Sequence, residues 1–220
     1  MGARILARNL ARLLGVAALM ACALPVAPGD HPSAAADPCP DSEVVFARGT
    51  GEPPGVGRVG QAFVDALRLQ VPGRSVGVYP VNYPASSDYV NSATAGANDV
   101  STYVESMAAK CPTTKVVLGG YSQGAGVIDL ATDSMPPQVA NHVAAVALFG
   151  NPQSIYAKSL AGGRLPAISP LYRPKTIDLC VPGDMICSEG GSIVPHLLYV
   201  PEMTNQAAAF VASRLQPEST

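Results

Sequence analysis

Five residues, Gly120-Tyr121-Ser122-Gln123-Gly124, have the types and spacing for nucleophilic chemistry, and they directly follow the apolar run Lys115-Val116-Val117-Leu118-Gly119. A buried strand that breaks at glycines, presents a serine and runs on into a helix is a device for exposing a reactive hydroxyl. The flanking glycines lack a Cβ, so the chain can turn sharply and hold Ser122 in a strained backbone conformation. The hydroxyl then stands above the sheet, with backbone N–H groups of a helix N-terminus beside it. In a chain with 21 glycines the pattern alone has a real rate of accidental matches. A second match, Gly73-Arg74-Ser75-Val76-Gly77, follows an amphipathic helical stretch and precedes a strand. That is a helix-to-strand turn, at the end of the sheet opposite to where open α/β sheets bind ligands. Ser75 therefore reads as a turn residue and Ser122 as the nucleophile.

Such a serine needs a base and a group to orient it, in the chain order Ser, then Asp or Glu, then His. The histidines are His31, His142 and His196. His31 precedes an expected cleavage site, and His142 opens the strand after the nucleophile helix, at the far end of a parallel sheet. Only His196, in the loop Ile193-Val194-Pro195-His196, follows all the strands. For the acid, Asp178 sits within a strand and Glu189 in a Gly-rich, flexible loop. Asp184, in Pro182-Gly183-Asp184-Met185-Ile186-Cys187, follows the last strand and lies between Cys180 and Cys187. A crosslink closing so short a loop contributes roughly 2–3 kcal/mol, mainly by restricting the unfolded chain. It would also hold the carboxylate where it fixes the tautomer and direction of His196.

Acyl transfer also needs donors for an oxyanion. The N–H of Gln123, next after the serine, is one; the loop Arg48-Gly49-Thr50-Gly51 offers a second at Thr50, through its N–H and hydroxyl. A plain glycine turn is the competing reading of that loop. Ile193, Val194, Leu197 and Leu198 flank the base and either line an acyl groove or belong to the core; Leu197 and Leu198 fit the core better. A phosphate-binding loop is excluded at the elbow, because no Gly-Lys-Ser/Thr follows it.

The elements that position these residues alternate. Glu43–Ala47, Val76–Val81, Val116–Gly119, Val143–Phe149 and Thr176–Val181 read as strands. Helical periodicity marks Val59–Leu67, ended by Pro72-Gly73, then Val100–Ala108, Gly124–Ala131 and Ala207–Leu215. Alternation of this kind predicts an α/β fold: a three-layer sandwich of the α/β-hydrolase type, with a central, mostly parallel five-stranded sheet. Residues 151–175 read as loop, and no segment is long enough for a cap domain, so the site is expected to lie open.

Residues 1–36 read as a secretory signal peptide: Arg4, Arg8 and Arg12, then the apolar Leu13–Val26, then Ala34-Ala35-Ala36 before Asp37. The apolar run falls short of the about 20 residues a membrane span needs. Cys22 lies in this leader, in a poor lipoprotein signal. Residues 37–220 then form one domain. Its four cysteines, Cys39, Cys111, Cys180 and Cys187, argue for two disulfides in an exported chain, with three possible connectivities. Proximity pairs Cys180 with Cys187 and leaves Cys39 for Cys111. A four-cysteine metal site is disfavoured because no C-x-x-C occurs. The formal net charge of −2, without a basic patch, argues against a nucleic-acid partner.

With these residues assembled, the chain resembles the cutinase family, and in particular secreted bacterial cutinase-like carboxylesterases. The resemblance spans the whole mature domain. It rests on Val45-Phe46-Ala47-Arg48-Gly49-Thr50, Gly119-Gly120-Tyr121-Ser122-Gln123-Gly124, Leu148-Phe149-Gly150, Gly183-Asp184-Met185-Ile186-Cys187 and Pro195-His196-Leu197. It implies Ser122 as nucleophile, Asp184 as orienting acid, His196 as base, Thr50 and Gln123 as the oxyanion hole, and two family disulfides. Fungal members often carry serine where this chain has Thr50. The implied substrates are carboxylic esters, from short soluble ones to cutin and lipids; no cofactor or metal is implied, and the expected product is a secreted monomer, with cell-wall association left open. Two rivals remain: a lipid acyltransferase or phospholipase A-type enzyme with the same triad, and a lipid-binding surface protein whose triad is vestigial.

Overall fold

A computed structural model describes residues 39–216. The expected leader at 1–36, with Cys22 and His31, lies outside the described residues. Five strands, β1 (Ser42–Ala47), β2 (Val76–Pro80), β3 (Lys115–Tyr121), β4 (Val143–Phe149) and β5 (Thr176–Leu179), form one sheet in the order β2-β1-β3-β4-β5. Every pairing is parallel. The central strands are almost wholly buried, as expected of a parallel sheet covered on both faces.

Helices α1 (Gly57–Gln70) and α6 (Glu202–Leu215) share one side core with Phe46, Phe63 and Phe149, whose ring centroids lie 5.8–6.2 Å apart. Helices α2 (Tyr89–Lys110) and α3 (Gln123–Ser134) share the other, through Val100, Val104, Val127 and Ile128. Helix α2 starts well before the periodic stretch at Val100. Its first half buries small residues, Ser92, Gly96 and Ala97, which carry little hydrophobic signal, and Asp88 caps it by accepting from Asn91 N–H.

The segment 151–175, expected as loop, contains α4 (Ile155–Leu160) and a 3-10 turn, Arg173–Lys175. Ser154 caps α4 by accepting from Ala157 N–H at 3.0 Å. His196 is likewise the last residue of a single helical turn, α5 (Ile193–His196), rather than part of an irregular loop. Glu189 accepts from Ile155 N–H, so its loop is tied to α4. Ser75 lies in the α1–β2 turn, bonded to Asp41.

The order of strand addition reverses between β1 and β3: β2 follows β1 outward on one side, while β4 and β5 follow β3 on the other. Connections leaving in opposite directions open a crevice at the carboxyl ends of such a strand pair. Thr50 follows β1 there and Ser122 follows β3. Both disulfides join the expected partners, Cys39 with Cys111 and Cys180 with Cys187, at Cα separations of 5.6 and 5.8 Å. Among the described residues no helix is long and apolar enough to cross a membrane.

Candidate active site

Ser122 alone separates β3 from α3, with φ 56° and ψ −122°, a region that side-chain-bearing residues rarely occupy. A non-glycine residue held there stores of order 1–3 kcal/mol of strain, sustained by its surroundings. The flanking glycines act through space. A Cβ on Gly120 would lie 2.2 Å from the Gly124 carbonyl oxygen, and one on Gly124 would lie 2.0 Å from the Ala47 carbonyl oxygen. Their bareness lets α3 descend onto β1 and β3, and the strain falls on the serine itself.

His196 Nε2 lies 2.9 Å from Ser122 Oγ, and His196 Nδ1 lies 2.7 Å from Asp184 Oδ2. Asp184 has no exposed surface and sits inside the Cys180–Cys187 ring. Its Oδ1 accepts from Ile186 N–H at 2.8 Å, and its Oδ2 accepts from Tyr199 O–H at 2.6 Å as well as from the imidazole. Burial alone would raise the pKa of this carboxyl, but the bonds from His196, Tyr199 and Ile186 outweigh it and hold the group below the usual carboxylate range.

Two tyrosines and a glycine that sequence reasoning missed hold the imidazole. Tyr121 stacks on the His196 ring at 5.0 Å and donates its hydroxyl proton to the His196 carbonyl at 2.6 Å. Tyr199 meets the ring edge-on at 6.1 Å. Burial raises the phenol pKa of Tyr121 to about 12, which keeps its donor proton in place. Gly150, at φ +57°, leaves room for the ring, since a Cβ there would lie 2.8 Å from His196 Cε1. The signal for Tyr199 was its place three residues after His196; nothing in the sequence marked it as a partner of Asp184.

Thr50 and Gln123 also meet. Gln123 Nε2 donates to Thr50 Oγ1 at 3.2 Å and to the Ser86 carbonyl at 2.8 Å, while Gln123 Oε1 accepts from Ser92 Oγ at 2.7 Å. Thr50 Oγ1 therefore serves as an acceptor toward Gln123 and keeps its own proton to donate elsewhere. The Gln123 main-chain N–H belongs to the first turn of α3, where helical N–H groups have no intrahelical partner.

A cleft of about 400 Å³ opens over Ser122. Its lining includes exposed apolar side chains: Tyr156 and Leu160 of α4, and Ile193 and Leu197 in and beside α5. Leu197 and Leu198, expected in the core, are 55% and 58% exposed; the turn of α5 buries His196 and so points its neighbours outward.

A crevice at the carboxyl ends of a parallel sheet, with a serine, an imidazole and a buried carboxylate in line, defines the class of capless α/β hydrolases. The cutinase family model matches residues 38–215. The chain is 57% identical over 210 residues to the carboxylesterase Culp1 of Mycobacterium tuberculosis, covering 94% of this chain and 97% of that protein. It is 52% identical over 219 residues to the phospholipase Culp4 of the same organism, covering 95% and 93%. The Trichoderma reesei cutinase, solved with a phosphonate inhibitor, superposes with a TM-score of 0.69 at 37% identity, covering 82% of this chain and 79% of that one. The chain belongs to the cutinase family and is a carboxylic ester hydrolase.

Proposed function

We propose that this protein is a secreted serine esterase that cleaves carboxylic esters through an acyl-enzyme, with Ser122 as nucleophile, His196 as general base, Asp184 as orienting acid, and Gln123 N–H and Thr50 as oxyanion donors. The observation that carries the reading is the unbroken hydrogen-bonded path from Ser122 Oγ through the His196 ring to Asp184 at a cleft. His196 Nε2 takes the hydroxyl proton as Oγ bonds to the ester carbonyl carbon, and the carbonyl electron pair moves to oxygen. Each donor to that oxyanion is worth about 3 kcal/mol in the transition state. Collapse re-forms the carbonyl and breaks the bond to the alcohol oxygen, which receives the proton from Nε2. Water then repeats the sequence, with His196 again as base, and releases the acid.

The substrates proposed are short- to medium-chain esters, with cutin and lipid esters as larger candidates for an open, apolar-rimmed cleft. Lipid esters gain specific support from the 52%-identical relative that carries the name phospholipase. Export rests on the leader-like residues 1–36 and on two disulfides of a kind that persists outside the cytosol.

A serine-directed phosphonate is expected to label Ser122 in the parent protein, and Ser122→Ala to abolish both labelling and ester turnover. Unlabelled Ser122 in folded protein would favour the lipid-binding alternative. Product analysis on a phospholipid, with and without an alcohol acceptor, separates hydrolysis from acyl transfer. Protein recovered from culture medium is expected to begin at Asp37.

A further inference from the structure

Three glycines near the nucleophile differ in what they exclude. At Gly120 and Gly124 a Cβ would collide with backbone atoms at 2.2 and 2.0 Å. At Gly126, inside α3, a Cβ would meet only Pro166 Cγ at 3.9 Å and Pro152 Cγ at 4.0 Å, which is ordinary contact. Its backbone is not among those with positive φ. Glycine within a helix is less favourable than alanine, so neither backbone nor packing accounts for it. Gly126, Pro152 and Pro166 have the cleft in common: all three line it.

The cleft is chemically lopsided. Its charged lining residues are Glu52, in the β1–α1 connection, and Arg58, in the first turn of α1, and Arg58 Nη2 donates to the Leu197 carbonyl beside His196 at 2.8 Å. The part built from α2, α3 and α4, with Ala93, Gly126 and Leu160, carries no charge. In ester cleavage the imidazole gives its proton to the departing alcohol, so the alcohol portion lies on the histidine side. The uncharged limb is left for the acyl chain, whose methylenes it favours taking out of water.

We propose that Gly126 sets the depth of this acyl limb, so that an unbranched medium or long acyl chain passes between Pro152 and Pro166 through space that a side chain at position 126 would fill. The inference rests on the serine-esterase reading above and names a determinant of its chain-length range. It also identifies a residue retained at a cost to helix stability, which is the pattern expected where activity and stability compete.

The test compares the parent with Gly126→Ala and Gly126→Leu on p-nitrophenyl butanoate and dodecanoate, with thermal unfolding and phosphonate labelling measured alongside. The expected result for Leu is a fall of about tenfold in the dodecanoate-to-butanoate ratio of kcat/KM, expressed mainly in KM, with a smaller fall for Ala. Ala is also expected to raise Tm by about 2–4 °C, as the helix gains a better former. If Leu does not fold, the Ala variant decides by the same ratio. A parental ratio in every folded variant would overturn the inference, as would equal losses on both esters with labelling intact. A parent that hydrolyses neither ester and takes no phosphonate would overturn the esterase reading, and this inference with it.

Discussion

Asp184 and Asp129 are both buried, at 0% and 1% exposure, yet their surroundings drive them in opposite directions. Asp184 receives three hydrogen bonds, from His196, Tyr199 and the Ile186 N–H, and its pKa is lowered despite burial. Asp129, on α3, receives one, from Asn151 Nδ2 at 3.0 Å, and its Oδ1 has no partner. Burial, with the Asp178 carboxylate nearby, pushes it up to about 7. The two clusters meet on one loop: Gly150 makes room for His196, and Asn151 bridges Asp129 and Asp178. Burial pushes both carboxyls upward; three donors outweigh it at Asp184, and one does not at Asp129.

The largest expected effect comes from neutralising the well-supplied carboxylate. Asp184→Asn is expected to fold and to lose about 10⁴-fold in kcat on a soluble ester, because an amide no longer favours the required imidazole tautomer. A rate within tenfold of the parent would break the contrast at its root.

Asp129 tests the opposite end. Its folded pKa is raised from 3.8 to about 7, so the folded state holds the proton more tightly than the unfolded chain between those values. Parental stability therefore falls as pH rises through that window, by at most about 4 kcal/mol at about 1.4 kcal/mol per pKa unit. Asp129→Asn is expected to flatten this slope in urea titrations across the same pH range. An unchanged slope would show that Asp129 stays ionised throughout.

Opening the ring around Asp184 comes next. Its closure is worth roughly 2–3 kcal/mol, and mild reduction is expected to lower activity before circular dichroism reports unfolding. Simultaneous loss of both signals would mean that the crosslink supports the whole fold rather than this carboxylate.

Removing one of the three donors is the smallest change. Tyr199→Phe is expected to cost about 1.5–3 kcal/mol of stability at neutral pH. The lowered pKa of Asp184 adds stability above the carboxylate's unfolded value, and that stability is lost as pH falls through the folded value. With a donor gone, the loss begins at higher pH, and the midpoint of acid unfolding moves upward with it. An unmoved midpoint would show that His196 and Ile186 suffice.

Much of this arrangement was legible beforehand, where local pattern and chain order carry the information. Val143–Phe149 is continuous apolar sequence and forms β4 with those bounds. Ser122 was marked by a strand before it and a helix after it, and chain order then singled out Asp184 and His196. Weak or short signals hid the rest. Helix α4 is only six residues long between prolines and glycines, and the first half of α2 packs through small side chains. Leu197 and Leu198 are apolar, yet the turn of α5 faces them outward.

By itself the sequence determined the alternating elements, the parallel sheet and the strained serine, because each depends on residues close in the chain or on compositional rules that need no coordinates. Tertiary structure alone decided that Tyr199 donates to Asp184, that Tyr121 supports the imidazole from behind, that the Gln123 side chain donates to Thr50 Oγ1, and that Asp129 is short of partners. Those contacts join side chains from different elements at distances of a few ångströms, and no spacing along a chain encodes which way a side chain points once sheet and helices have packed.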